Sequence, residues 1–420
     1  MTQRQLTNRL VIMLPIVIPI TLCFMGIMVK RDFDYNGILV IASLLTLTEL
    51  TIFAIVVIII CLSCGIKTFV ERFMIKNRLD NSFYSIGAYV DTKNDGIVRT
   101  PRVYFKKNRI VIVLENIDIR SKIEAKIDIL STALPDNLIV RRTYINNAGD
   151  YIVVEYSDLR KDKRMVFNSI EEVEDYTNRY SYEELFIDQN TFINLADNTS
   201  MLITGISGKG KSYATQFLIT QGIIKNYEIS VLDIKRSYQA YEDYVTFVSE
   251  PYDIIHELQN VSTELKKRKL AMDEPLKQDP KALASNYGFP IKLVVIEEFI
   301  ALMNCGISST EQKLITSLIK EITTSGRSLD VHLIMVMQVS GYDTLDSAIK
   351  ANLPVKLVFG EVNETVYKTA FGLSNAPKTR YLFDKGEGIG LIEGNNFLFR
   401  IPTLNYKISE LKRYKTSFVG

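Results

Sequence analysis

Gly205-Ile206-Ser207-Gly208-Lys209-Gly210-Lys211-Ser212 fits the phosphate-loop pattern G-x-x-x-x-G-K-[ST], in which every fixed position has a physical task. The glycines let backbone N–H groups turn inward around a polyphosphate, Lys211 can reach the β and γ phosphates, and the Ser212 hydroxyl suits Mg2+. Met201-Leu202-Ile203 leads in as a short buried strand, and Tyr213 to Ile219 begins a helix whose N-terminal dipole faces the phosphates. This frame predicts a site for ATP and Mg2+ built from Gly205, Gly208, Lys209, Gly210, Lys211, Ser212 and Tyr213. A glycine-rich turn without a ligand is the alternative.

Downstream, Lys292-Leu293-Val294-Val295-Ile296 is an apolar strand that runs into Glu297 and Glu298. Two carboxylates at a strand end suit a phosphate-loop ATPase: Glu297 faces the Mg2+ shell, and Glu298 polarises the attacking water. Glutamate stands at the first position, where aspartate is usual, so its contact with metal-bound water is shifted by a methylene. A third strand, Val331 to Met337, leads to Gln338, which can sense the γ-phosphate. Arg327, in the turn before that strand, can reach a neighbouring subunit's nucleotide and supply charge in trans. Taken singly, Gln338 and Arg327 also read as ordinary surface residues.

From about Phe186 onward strand-like runs alternate with helical ones, which predicts a parallel α/β core. Strands are expected at 228–232, 291–296, 331–337 and 355–359, and helices at about 212–226, 252–272, 310–324 and 345–351. Residues 273–290, with Pro275, Pro280 and Pro290, read as a long loop. Upstream, residues 101–158 read as a small β-β-α-β-β module: strands at 103–105, 109–114, 138–140 and 151–154, and a helix at 121–132. Its Arg102, Lys106, Lys107, Arg109, Arg141 and Arg142 are either nucleic-acid contacts or a solvated strand face.

Two apolar runs, about 10–29 and 38–66, are each long enough to cross a hydrocarbon core. Pro15, Pro19 and the second run argue against a cleaved signal peptide. Arg4 and Arg9 precede the first run and Lys67, Arg72, Lys76 and Arg78 follow the second, so both termini are expected in the cytoplasm, with the protein in the cell membrane. Glu49, inside the second run, is read as a protonated or helix-facing carboxyl. The chain has 50 Lys and Arg against 48 Asp and Glu, so any nucleic-acid binding rests on local charge rather than bulk attraction. Its 4 cysteines form no zinc or disulfide pattern.

These motifs, in this order, resemble the FtsK/SpoIIIE-like branch of the FtsK/HerA ring translocases. Besides the phosphate loop, the resemblance rests on Leu232-Asp233-Ile234-Lys235, similar to the family's D-P-K, and on Leu293 to Phe299. It rests further on Gly326-Arg327 with His332, Leu333 and Gln338, on Ile349 to Pro354, and on Lys385-Gly386-Glu387-Gly388, which is similar to a late G-K-G-D turn. It covers about residues 188–402 and departs from the family at Glu297 and Ile234. The resemblance implies a RecA-like core in a homo-hexameric, ATP-driven DNA motor. With two spans, one small module and one motor, the chain looks like the coupling proteins of Gram-positive conjugative elements, whose partners are DNA, a relaxase and channel proteins. In such a ring Lys266-Lys267-Arg268-Lys269 either lines the channel or forms a solvated helix face. A type VII-like protein-secretion ATPase and a membrane scaffold that binds ATP without turnover are the other readings. The expected organisation is an anchor at 1–66, a connector at 67–100, a small α+β module at 101–185 and the ATPase at 186–420.

Overall fold

The computed structural model describes residues 66–92, 97–106, 108–126, 130, 133–135, 138–158, 163–338, 345–360, 370–371, 382–392 and 395–414. The expected spans lie outside these residues except for Ile66, and no helix among the described residues is long and apolar enough to cross a membrane. Two compact units are present. One comprises the chain up to Pro135 with Ile145–Ile152, the other Asp136–Tyr144 with Val153–Gly420. This division does not fall at residue 186.

The first unit begins with α1 (Ile66–Ser85), followed by β1 (Val90–Thr92), β2 (Ile97–Arg99), β3 (Val103–Lys106), β4 (Arg109–Val113) and α2 (Ile117–Glu124). β3 and β4 form the expected hairpin, paired antiparallel from Val103–Ile112 to Lys106–Arg109. The helix expected at 121–132 overlaps α2, which starts earlier, at Ile117, and ends at Glu124; residues 127–129 and 131–132 lie outside the described residues. Asn116 caps α2 by accepting a hydrogen bond from the Ile119 N–H, and Lys122–Asp118 and Arg120–Glu124 pairs staple its turns.

β5 (Leu138–Ile145) and β6 (Tyr151–Asp158) lead to β7 (Val166–Phe167), α3 (Ile170–Thr177), β8 (Glu184–Asp188) and β9 (Thr191–Asn194). The expected ATPase core then comes in order: β10 (Ser200–Gly205), α4 (Lys211–Ile224), β11 (Glu228–Asp233), β12 (Thr246–Val248), α5 (Pro251–Gln278), β13 (Lys292–Glu297), α6 (Phe299–Met303), α7 (Ser309–Ser325), β14 (Val331–Gln338), α8 (Ser347–Ala351) and β15 (Val355–Phe359). β16 (Glu387–Ile392), β17 (Asn395–Arg400) and β18 (Thr403–Leu404) follow, and a 3-10 helix at Ile408–Tyr414 is the last described element.

Strands β12-β11-β13-β14-β10-β15 lie side by side and parallel, and β16 and β17 extend the sheet antiparallel. The continuous apolar runs reflect burial on both faces. Met201, Ile203, Val231, Leu293, Val295, Ile334 and Val336 face one core with Phe217 and Leu218 of α4. The alternate residues Leu202, Leu232, Val294, Ile296, Leu333 and Met335 face the other with Leu258, Val261 and Leu265 of α5 and Ile319 and Ile322 of α7. Phe167, Ile170 and Val173, ahead of the expected ATPase boundary, belong to the first of these cores.

The loop expected from residue 273 begins later, because α5 runs on to Gln278 through Pro275. Met272 is fully buried against the core, and Lys277 pairs with Asp273 at 3.2 Å and Glu274 at 2.7 Å. Packing and these pairs hold a last turn that the proline alone argues against.

Candidate active site

Parallel register brings the predicted residues to one edge. The first loop glycine, Gly205, is opposite Gln338, and Glu297 is opposite both Asp233 and Val336, so β10, β11, β13 and β14 end together at the phosphate loop. The loop depends on its glycines. Gly210 is left-handed at φ 111°, and a Cβ there would lie 2.9 Å from the Gly386 nitrogen. A Cβ at Gly205 would lie 2.5 Å from the Phe359 carbonyl oxygen. Gly386 also donates its N–H to the Lys209 carbonyl at 2.8 Å, so the late Lys385-Gly386-Glu387-Gly388 turn buttresses the loop. Behind that turn, buried Glu387 pairs with Arg400 at 2.7 Å and Arg164 at 3.2 Å.

Lys211 is buried, and its Nζ donates to the carbonyls of Gly205 at 2.9 Å and Ile206 at 3.3 Å. Burial pushes its pKa down, and Glu298 and Glu297 pull it back up. The ammonium is thus held by its own loop, at the point from which a phosphate would draw it. Lys209 contributes its backbone carbonyl to the contact with Gly386. Tyr213, expected among the nucleotide-binding residues, is engaged elsewhere: its hydroxyl donates to the Leu404 carbonyl at 2.7 Å and ties α4 to β18.

Glu297 is 6% exposed, and burial raises its carboxyl pKa to about 7. Tyr238, fully buried, donates its hydroxyl to Glu297 Oε2 at 2.8 Å. Burial first, and Glu297 second, drive the Tyr238 pKa well up, so the phenol stays protonated and donates. Glu298 sits in a left-handed conformation at φ 52° ahead of α6, with its carboxylate 3.2 Å from Lys235 Nζ.

Asp233 touches neither carboxylate through a hydrogen bond. Its Oδ1 accepts from the Lys235 N–H at 3.0 Å and its Oδ2 from the Tyr238 N–H at 2.8 Å. It thereby shapes the short loop that delivers Lys235 to Glu298 and Tyr238 to Glu297. Tyr238, Arg400 and Arg164 carried no sequence signal. Asp233 stands inside a recognised motif, but its loop-building task is visible only in the fold.

The residues suit Mg2+ in the way phosphate-bound Mg2+ is usually held, through one hydroxyl, one carboxylate and substrate oxygens. Ser212 stands beside Lys211 at the start of α4, Glu297 ends β13, and among the described residues no group of three or more His, Cys, Asp or Glu side chains could hold a metal.

Arg327 is not brought to this edge. It lies before β14, whereas Gln338 ends that strand, and eight strand residues span about 26 Å. The turn that carries Arg327 is braced from beneath by Arg268. That guanidinium is 0% exposed, donates to the carbonyls of Leu329 at 2.9 Å and Asp330 at 3.2 Å, and pairs with Glu264 at 3.0 Å. Arg268 therefore leaves the candidate channel-lining run, in which Lys266, Lys267 and Lys269 are exposed. In the same way Arg141 pairs with buried Asp188 at 2.6 Å and is structural, while the side chain of Arg142 and all of Lys107 lie outside the described residues.

No protein-family model matches the chain. It is 27% identical over 228 residues to the DNA translocase FtsK of Helicobacter pylori strain J99, covering 51% of this chain and 26% of that protein. It is 23% identical over 230 residues to the DNA translocase FtsK of Staphylococcus epidermidis strain RP62A, covering 50% of this chain and 28% of the relative. Over about half its length the chain is FtsK-like. The resemblance read from its motifs is borne out, and the chain spans about a quarter of the length of these curated relatives. Among solved structures, the conjugation coupling protein TcpA of pCW3, in a monomer form with ATPγS, aligns with 78% of this chain and 94% of its own at a TM-score of 0.51. At 15% identity that is a likeness of fold, a P-loop ATPase fold.

Proposed function

We propose that this protein is a membrane-anchored ATPase that drives DNA movement, acting as a conjugative coupling protein that delivers DNA to a transfer channel. The observation that carries the reading is the convergence of the loop lysine Lys211, the strand-end acids Glu297 and Glu298, and Gln338 at one sheet edge. The FtsK-like sequence and the coupling-protein fold support DNA as the cargo. Lys211 and Ser212 hold phosphates and Mg2+, with Glu297 on the metal side. When bound, the metal neutralises charge on the phosphates. Glu298 orients the attacking water, and Gln338 responds to the γ-phosphate.

Arg327 lies a strand's length from its own subunit's site, so its contribution is to the next subunit of a homo-hexameric ring. The two apolar runs anchor the ring in the cell membrane with both termini cytoplasmic, and a relaxase and channel proteins are its partners. ATP hydrolysis by the purified full-length protein, measured with DNA, with a secreted protein and with neither, tests the reading. Stimulation by DNA is expected. Stimulation by a secreted protein favours a secretion motor, and no turnover favours a scaffold. Lys211→Ala is expected to abolish both turnover and DNA transfer at normal membrane abundance. Arg327→Ala and Lys211→Ala, each inactive alone, are expected to recover part of the activity in mixed rings, and no recovery would remove the role in trans.

A further inference from the structure

The family resemblance leaves one feature without an account: a glutamate stands where an aspartate is usual, and a buried tyrosine contacts it. Glu297 ends β13 directly opposite Asp233, which ends β11. Asp233 accepts two backbone N–H groups from the loop after it, and that loop turns Tyr238 inward until its ring is fully buried. The phenol then joins the loop after β11 to the end of β13. It donates to Glu297 Oε2 at 2.8 Å. Ser212 and Glu297 are the two side chains suited to the metal, and the phenol is hydrogen-bonded to Glu297.

A glutamate carries one more rotatable bond than an aspartate, and a strand-end glutamate without a partner samples several rotamers. A hydrogen bond from a rigid, buried phenol to a carboxylate is charge-assisted and directional, and selects one of them. The longer arm is also what lets the carboxylate reach the phenol.

We propose that Tyr238 is the positioning residue of the metal-side carboxylate, holding Glu297 in one orientation so that the site selects the Mg2+ complex of ATP over the free nucleotide. The inference rests on the nucleotide-site reading and goes beyond it. Tyr238 and Glu297 act as one unit, and restoring the usual residue with Glu297→Asp withdraws the carboxylate from the phenol instead of repairing the site.

The test is binding of a fluorescent ATP analogue to the full-length protein, titrated with Mg2+ and repeated in EDTA. For Tyr238→Phe, which keeps the buried ring, the Mg2+ concentration at half-saturation should rise about tenfold while affinity in EDTA stays within about twofold. Glu297→Asp should shift the Mg2+ dependence likewise, and Tyr238→Phe added to Glu297→Asp should do little more. A tyrosine with only a packing role would weaken binding equally with and without Mg2+, and its effect would add to that of Glu297→Asp; either result overturns the proposal. Tyr238→Phe with the wild-type Mg2+ dependence also overturns it. If Tyr238→Phe fails to fold, Glu297→Asp decides: Mg2+ coupling as tight as wild type or tighter overturns the proposal and weaker coupling supports it. Wild-type protein that binds no nucleotide in either condition would instead refute the site reading, and the inference with it.

Discussion

At the C-terminal edge of the parallel sheet Asp233, Glu297 and Glu298 stand together with Lys211 and Lys235, while at the opposite edge Arg268 meets Glu264 and two backbone carbonyls. Both regions bury charge beneath a turn. They differ in what answers it. Arg268 meets acceptors from its own chain at Nε and Nη1, which lock the turn around it, and its Nη2 lies 3.7 Å from Glu228. Glu297 has a phenol and a nearby lysine, and its carboxyl is pushed up to about 7 because burial outweighs both. Buried charge matched within the fold serves stability, whereas buried charge left under-compensated at a loop glycine marks a place for a ligand.

Breaking the matched edge should have the largest effect on stability. Arg268→Met leaves Glu264 and the carbonyls of Leu329 and Asp330 without their partner, and should destabilise the protein by about 3–5 kcal/mol in chemical denaturation. An unchanged denaturation midpoint would erase the contrast. At the ligand edge, Glu298→Gln should lower ATP turnover by about 10²–10³ while nucleotide binding persists. Loss of binding together with turnover would mean that Glu298 shapes the site rather than the water.

Glu297 sharpens the contrast through pH. Its folded pKa, about 7, lies above the ordinary 4.5, so between those values the folded protein keeps a proton that the unfolded chain has released. Stability of the nucleotide-free protein therefore falls as pH rises through that window. Glu297→Gln should remove this slope and gain up to about 3 kcal/mol at pH 8 relative to wild type. Denaturation midpoints at pH 5 and pH 8 are the measurement, and a slope that survives in Glu297→Gln assigns it to another group. The smallest effect is expected at Lys267, the neighbour of Arg268. Its side chain is 70% exposed, and Lys267→Ala should change stability by less than about 0.5 kcal/mol. Lys267→Ala in full-length protein should instead weaken DNA-stimulated hydrolysis at low salt if the exposed lysines follow a phosphate backbone.

The phosphate loop, the strand ending in Glu297 and Glu298, and the strand ending in Gln338 are legible in the sequence because each is a local pattern. A continuous apolar run marks a strand buried on both faces, and the first polar residues after the run must lie at the strand's end. The helix beginning at Ile117 is harder to place, because its signal is a cap at Asn116 rather than an apolar period. The last turn of α5 is hidden in the sequence because Pro275 argues against it and the burial of Met272 is visible only in the packing.

The sequence by itself determined the phosphate loop, the acids that face it and the FtsK-like order of motifs. Only the tertiary structure decided which charged residues work as ligand groups and which as braces. Four consecutive basic residues, 266–269, look alike on paper, yet helical periodicity turns Arg268 inward to a turn some sixty residues later and leaves its neighbours in water. The same separation hides the Tyr238–Glu297 contact. Its two partners are fifty-nine residues apart in the chain and meet because parallel register aligns β13, which ends in Glu297, with β11, whose following loop carries Tyr238. Local spacing encodes a strand or a loop, but a contact between loops depends on sheet order and register, which long-range packing sets.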